Sequence, residues 1–360
     1  KQLYVNAANG NLLIQQQDIF LPSFGEDFTF SRTYNSRGTI TNEESRLDAP
    51  EHQVDKPGWY FSTGVFIEWQ RPEEDENPGI EENTFWITYG DGSKFEFLYD
   101  SDRDLWVSTD GAGAYETLEL TRGQLVPDDD DFDDNRIWYT VTRADQTQYS
   151  FDAVGRLRET IDPNGVSMTY QYGGNKLLSR VFDDDGHVLR FSYDSDRLVR
   201  IRDENNTTLV QYAYNNEEII RVTDRFGHET RYTYNDEGLI THIRLPEEQV
   251  VDGQTQTFER REIELKYERL EWDSGSADDI DDADSQAWVV REIIDAGGGS
   301  TTFDYDFTFV DDPTDSRRFF GHYDRAEQEE YPGNGVAEDA VDPYSHFAGG
   351  TTVMVDALGN

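Results

Sequence analysis

Cysteine is absent from the 360 residues, methionine occurs twice, lysine five times and histidine six times. Without cysteine there is no disulfide staple, no thiolate nucleophile and no Cys-based metal site, although a large β protein needs no staples and the absence does not choose a compartment. The histidines (His52, His187, His228, His242, His322 and His346) match neither a zinc-ligand spacing nor a nucleophile elbow. Basic residues are scarce: 31 Lys and Arg stand against 75 Asp and Glu, a net charge of −44. Nucleic acid is therefore not an expected partner, because no basic stripe is present to release its counterions. The excess of acid reads as a solvated anionic surface, and the low lysine count suits a high-salt source. No apolar run approaches the roughly 18 residues of a membrane-spanning helix, so this segment is not expected to insert into a membrane. No basic-apolar leader opens it, which places any targeting segment elsewhere.

Aromatic residues are plentiful. They make up 13% of a chain that is only 35% hydrophobic, so Tyr, Phe and Trp must supply much of the core. Between residues 151 and 234 an aromatic recurs every 20 to 21 positions, at Phe151, Tyr172, Tyr193, Tyr214 and Tyr234. Such a fixed interval marks a repeat protein. Asp162-Pro163-Asn164-Gly165, Asp183-Asp184-Asp185-Gly186 and Asp224-Arg225-Phe226-Gly227 each stand ten residues before the next repeat tyrosine, counted from the Asp. In each tetrad the Asp can accept from main-chain N–H groups and the Gly can take the left-handed conformation, which predicts a turn. The strand after each turn alternates, with Tyr170 and Tyr172, then Leu189, Phe191 and Tyr193, then Tyr212 and Tyr214, then Tyr232 and Tyr234 on one face. A strand before each turn is carried by Leu157 and Ile161, Leu177 and Val181, Val199 and Ile201, Ile220 and Val222. One unit is a hairpin. The third departs from the pattern, with Asp203-Glu204-Asn205-Asn206 and eleven residues to Tyr214, placing Asn206 in the left-handed position. Asp295 to Gly298 leads to Tyr305 as a displaced copy, and Asp356 to Gly359 opens another.

These phased units resemble the tyrosine-aspartate (YD) repeats of rearrangement-hotspot (RHS) proteins, a superfamily of bacterial polymorphic toxins, toxin-complex subunits and teneurins. The resemblance extends upstream through Gly10-Asn11-Leu12, Asp18-Ile19-Phe20-Leu21-Pro22, Phe30-Ser31-Arg32-Thr33-Tyr34-Asn35-Ser36 and Gly58-Trp59, which look like the opening of the N-terminal RHS-associated region. What it implies is an all-β fold of antiparallel hairpin repeats forming part of a spiralling shell with an N-terminal β cap. In toxins of this family such a shell encloses a C-terminal effector. The Asp-Pro closing motif associated there with self-cleavage is not supplied after Thr351, and Asp342-Pro343 lacks its surroundings. Both ends interrupt recognisable patterns, so the chain is read as a fragment of a longer polypeptide.

Four zones follow. Residues 1–145 form the cap region, with strands at Phe61 to Trp69, Thr84 to Tyr89 and Lys94 to Tyr99, and with Trp59, Trp69, Trp86, Trp106 and Trp138 expected to gather in a compact aromatic core or plug. Residues 146–245 hold the phased repeats. Residues 246–290 are expected to be an acidic insertion with a β-hairpin, because the interval from Tyr234 to Tyr305 jumps to 71. Residues 291–360 resume the repeat, pass through a loop-rich segment and start a further unit. The residues singled out are structural: Phe151, Tyr172, Tyr193, Tyr214, Tyr234 and Tyr305 as repeat aromatics, and Gly165, Gly186, Gly227 and Gly298 as turn glycines. No catalytic or cofactor-binding residue is proposed. His187 and His228 share one repeat position, which repeat grammar explains better than a metal pair lacking a third ligand. Calcium is the one metal that Asp128 to Asp134 or Asp278 to Asp284 would suit, though neither matches the twelve-residue calcium loop. Paired carboxylates for glycoside hydrolysis arise by chance in so acidic a chain. The expected role is a non-catalytic part of a shell in a secreted or cell-surface bacterial protein, its partners being the rest of the same polypeptide and its passenger domain. The alternative is an adhesin-like module binding glycan or protein, in which rows of tyrosine serve as a ligand platform.

Overall fold

A computed structural model of the chain describes residues 2–6, 10–22, 27–36, 58–70, 83–108, 115–125, 136–252, 255–259, 261–271, 286–309 and 347–355. These form antiparallel strands, with no helix among the described residues. The N-terminal strands are β1 (Gln2–Val5), β2 (Leu12–Leu21), β3 (Phe28–Asn35) and β4 (Gly58–Phe61). Next come β5 (Phe66–Gln70), β6 (Thr84–Thr88), β7 (Lys94–Asp100), β8 (Leu105–Ser108), β9 (Thr117–Leu125), β10 (Arg136–Thr142), β11 (Gln148–Phe151) and β12 (Leu157–Ile161). The repeats continue through β13 (Ser167–Tyr172), β14 (Leu178–Asp183), β15 (Val188–Asp194), β16 (Arg197–Arg202), β17 (Thr208–Asn215), β18 (Glu218–Asp224) and β19 (Glu229–Tyr234). The last are β20 (Ile240–Arg244), β21 (Glu248–Asp252), β22 (Thr255–Glu259), β23 (Glu262–Glu271), β24 (Gln286–Ile294), β25 (Ser300–Phe309) and β26 (Phe347–Val355). The chain divides into two compact units: Lys1–Gln2, Ile14–Tyr232 and Asp236–Leu239 form the first, and Leu3–Leu13, Thr233–Asn235 and Ile240–Asn360 the second.

Within the first unit, β5 to β12 pair in sequence order and roll around an aromatic core. Plain alternation selects that core, since Phe85 and Ile87 point inward while Trp86 faces the Lys94 ammonium, 5.6 Å away, on the other side. Phe85 lies 5.1 Å from Trp106 and 5.5 Å from Tyr139, and Trp69 closes on Tyr139 at 5.5 Å. The Trp106 indole donates to the Asn83 carbonyl at 2.9 Å, so the ring is buried without stranding its N–H. The ends of the roll meet at a single bridge, Phe66 to Arg156, beside which Ile67 N–H donates to the Gly155 carbonyl at 3.0 Å. Among the described residues no longer ladder joins them, and the sheet is not closed into a barrel. The expectation of one core holding all five tryptophans is corrected: Trp69 and Trp106 enter it, Trp86 and the half-buried Trp138, neighbours of the inward Phe85 and Tyr139, lie outside by parity, and Trp59 packs elsewhere.

From β11 to β18 the sheet is built of hairpins that repeat one irregularity. Opposite the repeat aromatic, the partner strand carries an extra residue: the ladder steps from Gln171↔Arg180 to Tyr172↔Leu178, from Ser192↔Arg200 to Tyr193↔Leu198, and from Ala213↔Arg221 to Tyr214↔Ile219. Ser150↔Glu159 to Phe151↔Leu157 is the first instance. Each β-bulge shifts strand parity by one residue. The inward residues are therefore Leu178 with Val181, Leu198 with Ile201, and Ile219 with Val222, each three apart. This corrects the expected sets: Leu177, Val199 and Ile220 do not belong to the core, and beside Leu157 it is Thr160, not Ile161, that is buried.

The second unit pairs β20, β23, β24, β25 and β26 in that order, while β21 and β22 form a separate hairpin. The excursion expected over residues 246–290 is thus narrower, because β23 lies in the sheet between β20 and β24, and the detour among the described residues is the β21–β22 hairpin. Tyr267 on β23 carries the repeat signature, with a bulge between Lys266 and Tyr267 opposite Val290 and Glu292. The β21–β22 hairpin separates it from Tyr234, which hid it from an interval count. Gly10 shows why the N-terminal hairpin of this unit needs glycine: its φ is +69°, a Cβ there would stand 2.4 Å from Val289 Cβ, and its carbonyl accepts from Val290 N–H at 3.1 Å.

Candidate functional site

Alternation along β3 puts Phe28, Phe30, Arg32 and Tyr34 on one buried face, and that face runs across successive repeat strands of the first unit. The Phe28 ring lies 6.4 Å from His187, Phe30 lies 5.7 Å from Phe191, and Phe61 on β4 lies 5.4 Å from Tyr212. Trp59 meets Tyr232 edge-on at 5.0 Å, and the Tyr34 hydroxyl donates to the Gly238 carbonyl at 3.1 Å. The strands therefore lock together through residues between 151 and 204 positions apart in sequence.

Arg32 is the polar centre of this contact. Its side chain is 1% exposed and forms an ion pair with Asp18 of β2, itself 5% exposed. Arg32 Nη2 donates to the Tyr232 hydroxyl at 2.8 Å, and the Tyr212 hydroxyl donates to Asp18 Oδ2 at 2.6 Å. Trp59, Tyr212 and Tyr232 wall the guanidinium, their ring centroids 5.0, 5.9 and 5.8 Å from its carbon. Burial works against the Arg32 charge, but Asp18 and the two tyrosines outweigh it and raise its pKa above the ordinary value. Burial also lifts Tyr212 and Tyr232, so both hydroxyls stay protonated and serve as donors or acceptors. Partners occupy both ends of the charge pair, an arrangement that holds strands together.

Two further buried clusters have the same character. Asp152, fully buried, accepts from the main-chain N–H groups of Val154 and Arg156 and pairs with Arg156 at 2.7 Å and Arg158 at 3.1 Å, both guanidinium groups lying over the Tyr172 ring. Glu116 accepts from the Tyr89 hydroxyl at 2.5 Å and from Arg143 Nε at 3.1 Å, and burial followed by that hydrogen bond raises the Tyr89 pKa.

The repeat residues singled out by sequence lie as follows. Phe151 and Tyr172 are buried, Tyr193, Tyr214, Tyr234 and Tyr305 half-buried, and the Tyr214 hydroxyl donates to the Leu198 carbonyl at 2.8 Å. Tyr267, which the interval count missed, donates likewise to the Ile240 carbonyl at 2.9 Å. Gly165, Gly186, Gly227 and Gly298 have φ of 87°, 92°, 86° and 85°, and Asn206 has 66°. Asp162 Oδ1 accepts from Asn164 and Val166 N–H, both at 2.8 Å, and Asp224 and Asp295 repeat the geometry. Asp152 to Gly155 makes the same turn directly after a repeat aromatic, where counting from turn to next tyrosine does not look. His187 and His228 do not face each other: each ring Nδ1 lies against the Asp of its own turn, at 2.7 Å from Asp183 and 2.9 Å from Asp224. Among the described residues no three His, Asp or Glu side chains converge as metal ligands. Asp128 to Asp134, Asp278 to Asp284, His52, His322, His346 and Asp342-Pro343 lie outside the described residues.

Fold and site together define an all-β hairpin-repeat protein with an N-terminal sheet locked onto its repeats. No protein-family model and no curated protein matches the chain. Solved structures similar to it include a TcdB2-TccC3-Cdc42 crystal structure (10% identity, 83% of this chain and 19% of that chain, TM-score 0.31). TcdB2-TccC3 without its hypervariable C-terminal region follows at 9% identity, 82% and 18% coverage and a TM-score of 0.31. The Photorhabdus luminescens Tc holotoxin pore stands at 11%, 84%, 15% and 0.22. This chain spans about a fifth of the length of the first of these.

Proposed function

We propose that this chain is a non-catalytic, structural part of an RHS-type shell that encloses or presents a passenger domain of a secreted or cell-surface bacterial protein. The observation that carries this reading is the Arg32 contact. The Phe30-to-Ser36 and Gly58-Trp59 motifs, which resemble the family's N-terminal region, are the residues that seat β3 and β4 on the repeat strands, against Tyr232 and the Gly238 carbonyl, two residues before the phased Tyr234 and just after it. Motif and repeat thus act as one structural device. The buried carboxylates Asp18, Glu116 and Asp152 are each taken up by arginine and hydroxyl or main-chain donors. The test uses the full gene product. Limited proteolysis of the intact protein should spare any domain encoded beyond this segment, and Arg32→Ala should expose it to cleavage at protease concentrations that leave the parent untouched. A passenger cut as fast in the intact protein as when expressed alone would overturn the shell reading.

A further inference from the structure

The face of β14 to β19 opposite the tyrosines carries a row of arginines in a chain dominated by acid. Across the strands Arg180 stands opposite Arg190, Arg190 opposite Arg202, and Arg221 opposite Arg231. Arg200 shares the face, opposite Ser192 and Gln211. Strands lie about 4.8 Å apart, and like charges set directly opposite one another destabilise a sheet. With 75 acidic residues against 31 basic ones, alternating sign along this face would have been the unstrained arrangement. Neighbours satisfy part of the row: Arg202 donates to Ser192 Oγ at 3.1 Å, while Arg221 and Arg231 share Glu229 at 3.4 and 2.7 Å. Arg190 is exposed and makes no hydrogen bond or ion pair among the described residues, and Arg200 Nε is buried without a hydrogen-bond partner.

We propose that this face binds a linear acidic polysaccharide, a chain of uronate or sulfated sugars lying across β14 to β16 with its anionic groups on Arg190, Arg200 and Arg202. Guanidinium forks match carboxylate and sulfate oxygens in paired hydrogen bonds, and a ligand that bridges neighbouring arginines removes the repulsion between them. The other polyanions fit less well. A folded acidic protein would bring its surface within a Debye length of the surrounding carboxylates, about 10 Å at 0.1 M salt, whereas a thin chain can stay inside the basic strip. Protein interfaces also rely on aromatic or arginine anchors seated in pockets, and a flat row of charge supplies none. Single-stranded nucleic acid needs aromatic platforms for its bases, and the ring available here, Phe182, is covered by Arg180 at 5.6 Å.

Binding is measured by titrating the protein, in about 50 mM sodium chloride where screening is weak, with oligogalacturonate, heparin oligosaccharide, neutral dextran, poly-glutamate and single-stranded DNA. Saturable binding of either acidic saccharide, absent for dextran and weaker for poly-glutamate and DNA, is expected. Arg190→Gln, which removes a side chain with no partner to lose and relieves its repulsion with Arg180 and Arg202, should weaken binding about tenfold, the worth of one charge-assisted pair, without lowering the melting temperature. Arg190→Gln combined with Arg202→Gln should abolish it, and Arg103→Gln, at an exposed turn between β7 and β8, should leave it intact. No saccharide binding, equal binding of poly-glutamate or DNA, or equal sensitivity to Arg103→Gln would overturn the proposal. A shell function could stand after any of these results, since it does not depend on this face.

Discussion

The rolled sheet of β5 to β12 and the hairpin repeats of β13 to β18 solve one problem differently. Both must bury aromatics with few aliphatic residues to help. In the roll, the β5–β6, β6–β7 and β7–β8 ladders run without a register shift, and alternation decides which of their rings enter the core; shifts come only later, in β9–β10 and β11–β12. In the repeats every hairpin spends one residue on a bulge opposite its aromatic, and parity changes each time. The difference teaches that regular spacing in sequence does not guarantee regular alternation in space. A bulge increases local twist and bends the strand that carries it, so a bulge at the same place in each unit gives every hairpin the same bend.

The largest expected effect tests the lock between β3 and the repeats. Arg32→Ala leaves the buried Asp18 carboxylate without its cation, held only by the Tyr212 hydroxyl, and should cost about 3–5 kcal/mol, read as a shift of the urea midpoint. Arg32→Met with Asp18→Leu, which removes both charges, should recover much of that loss. Arg143→Ala, whose own side chain is 40% exposed against 1% for Arg32, should cost clearly less. Equal costs at the two sites would mean that burial of the pair does not govern its worth.

Next come the glycines. Gly165, Gly186, Gly227 and Gly298 have nothing within 4 Å of an added Cβ, so Gly165→Ala should cost only the left-handed strain of about 1–2 kcal/mol. At Gly155, φ is +85° and a Cβ would sit 2.0 Å from the Ile67 carbonyl oxygen, at the bridge where the roll meets itself. Gly155→Ala should cost at least about twice as much, with loss of amide-exchange protection at Ile67. Equal effects would show that the bridge contributes nothing.

A smaller effect follows from pH and separates turns from core. The Val166 N–H, with further donors, holds the Asp162 carboxyl below its usual range; at Asp224 burial opposes the shift and the His228 bonds overcome it. Depressed carboxylates contribute stability above the unfolded pKa of about 3.9 that is lost as pH falls through the folded values. Tyr172, Tyr193 and Tyr214 are raised by burial, so their contribution is complete below pH of about 10 and lost as pH climbs toward the folded values. Urea midpoints should hold between those limits and fall on both sides. Asp162→Asn should soften only the acid limb, and an unchanged profile would remove the turn carboxylates from the account.

The smallest effect is that of salt. A net charge of −44 repels itself, and molar sodium chloride, with a Debye length near 3 Å, should raise the melting temperature modestly. Calcium bound at specific sites would instead saturate at low millimolar concentration and would not be reproduced by sodium chloride of equal ionic strength.

What the sequence determined by itself was local. The positions of Asp162 and Gly165, Asp183 and Gly186, Asp224 and Gly227 encode their turns through a short-range demand, a side-chain acceptor followed by a residue tolerant of positive φ, and the strands between them follow from alternation. Tertiary structure decided the rest, because it depends on what lies across the sheet. Leu178, Leu198 and Ile219 turn inward only because a bulge opposes each tyrosine. Tyr267 joins the repeat only because β23 pairs with β20 after the β21–β22 detour. Arg32 and Asp18 find Tyr212 and Tyr232 only after β3 has settled on strands some two hundred residues away. No spacing rule reaches that far, since contacts between distant segments are set by burial and by pairing of charge, which a linear pattern does not record.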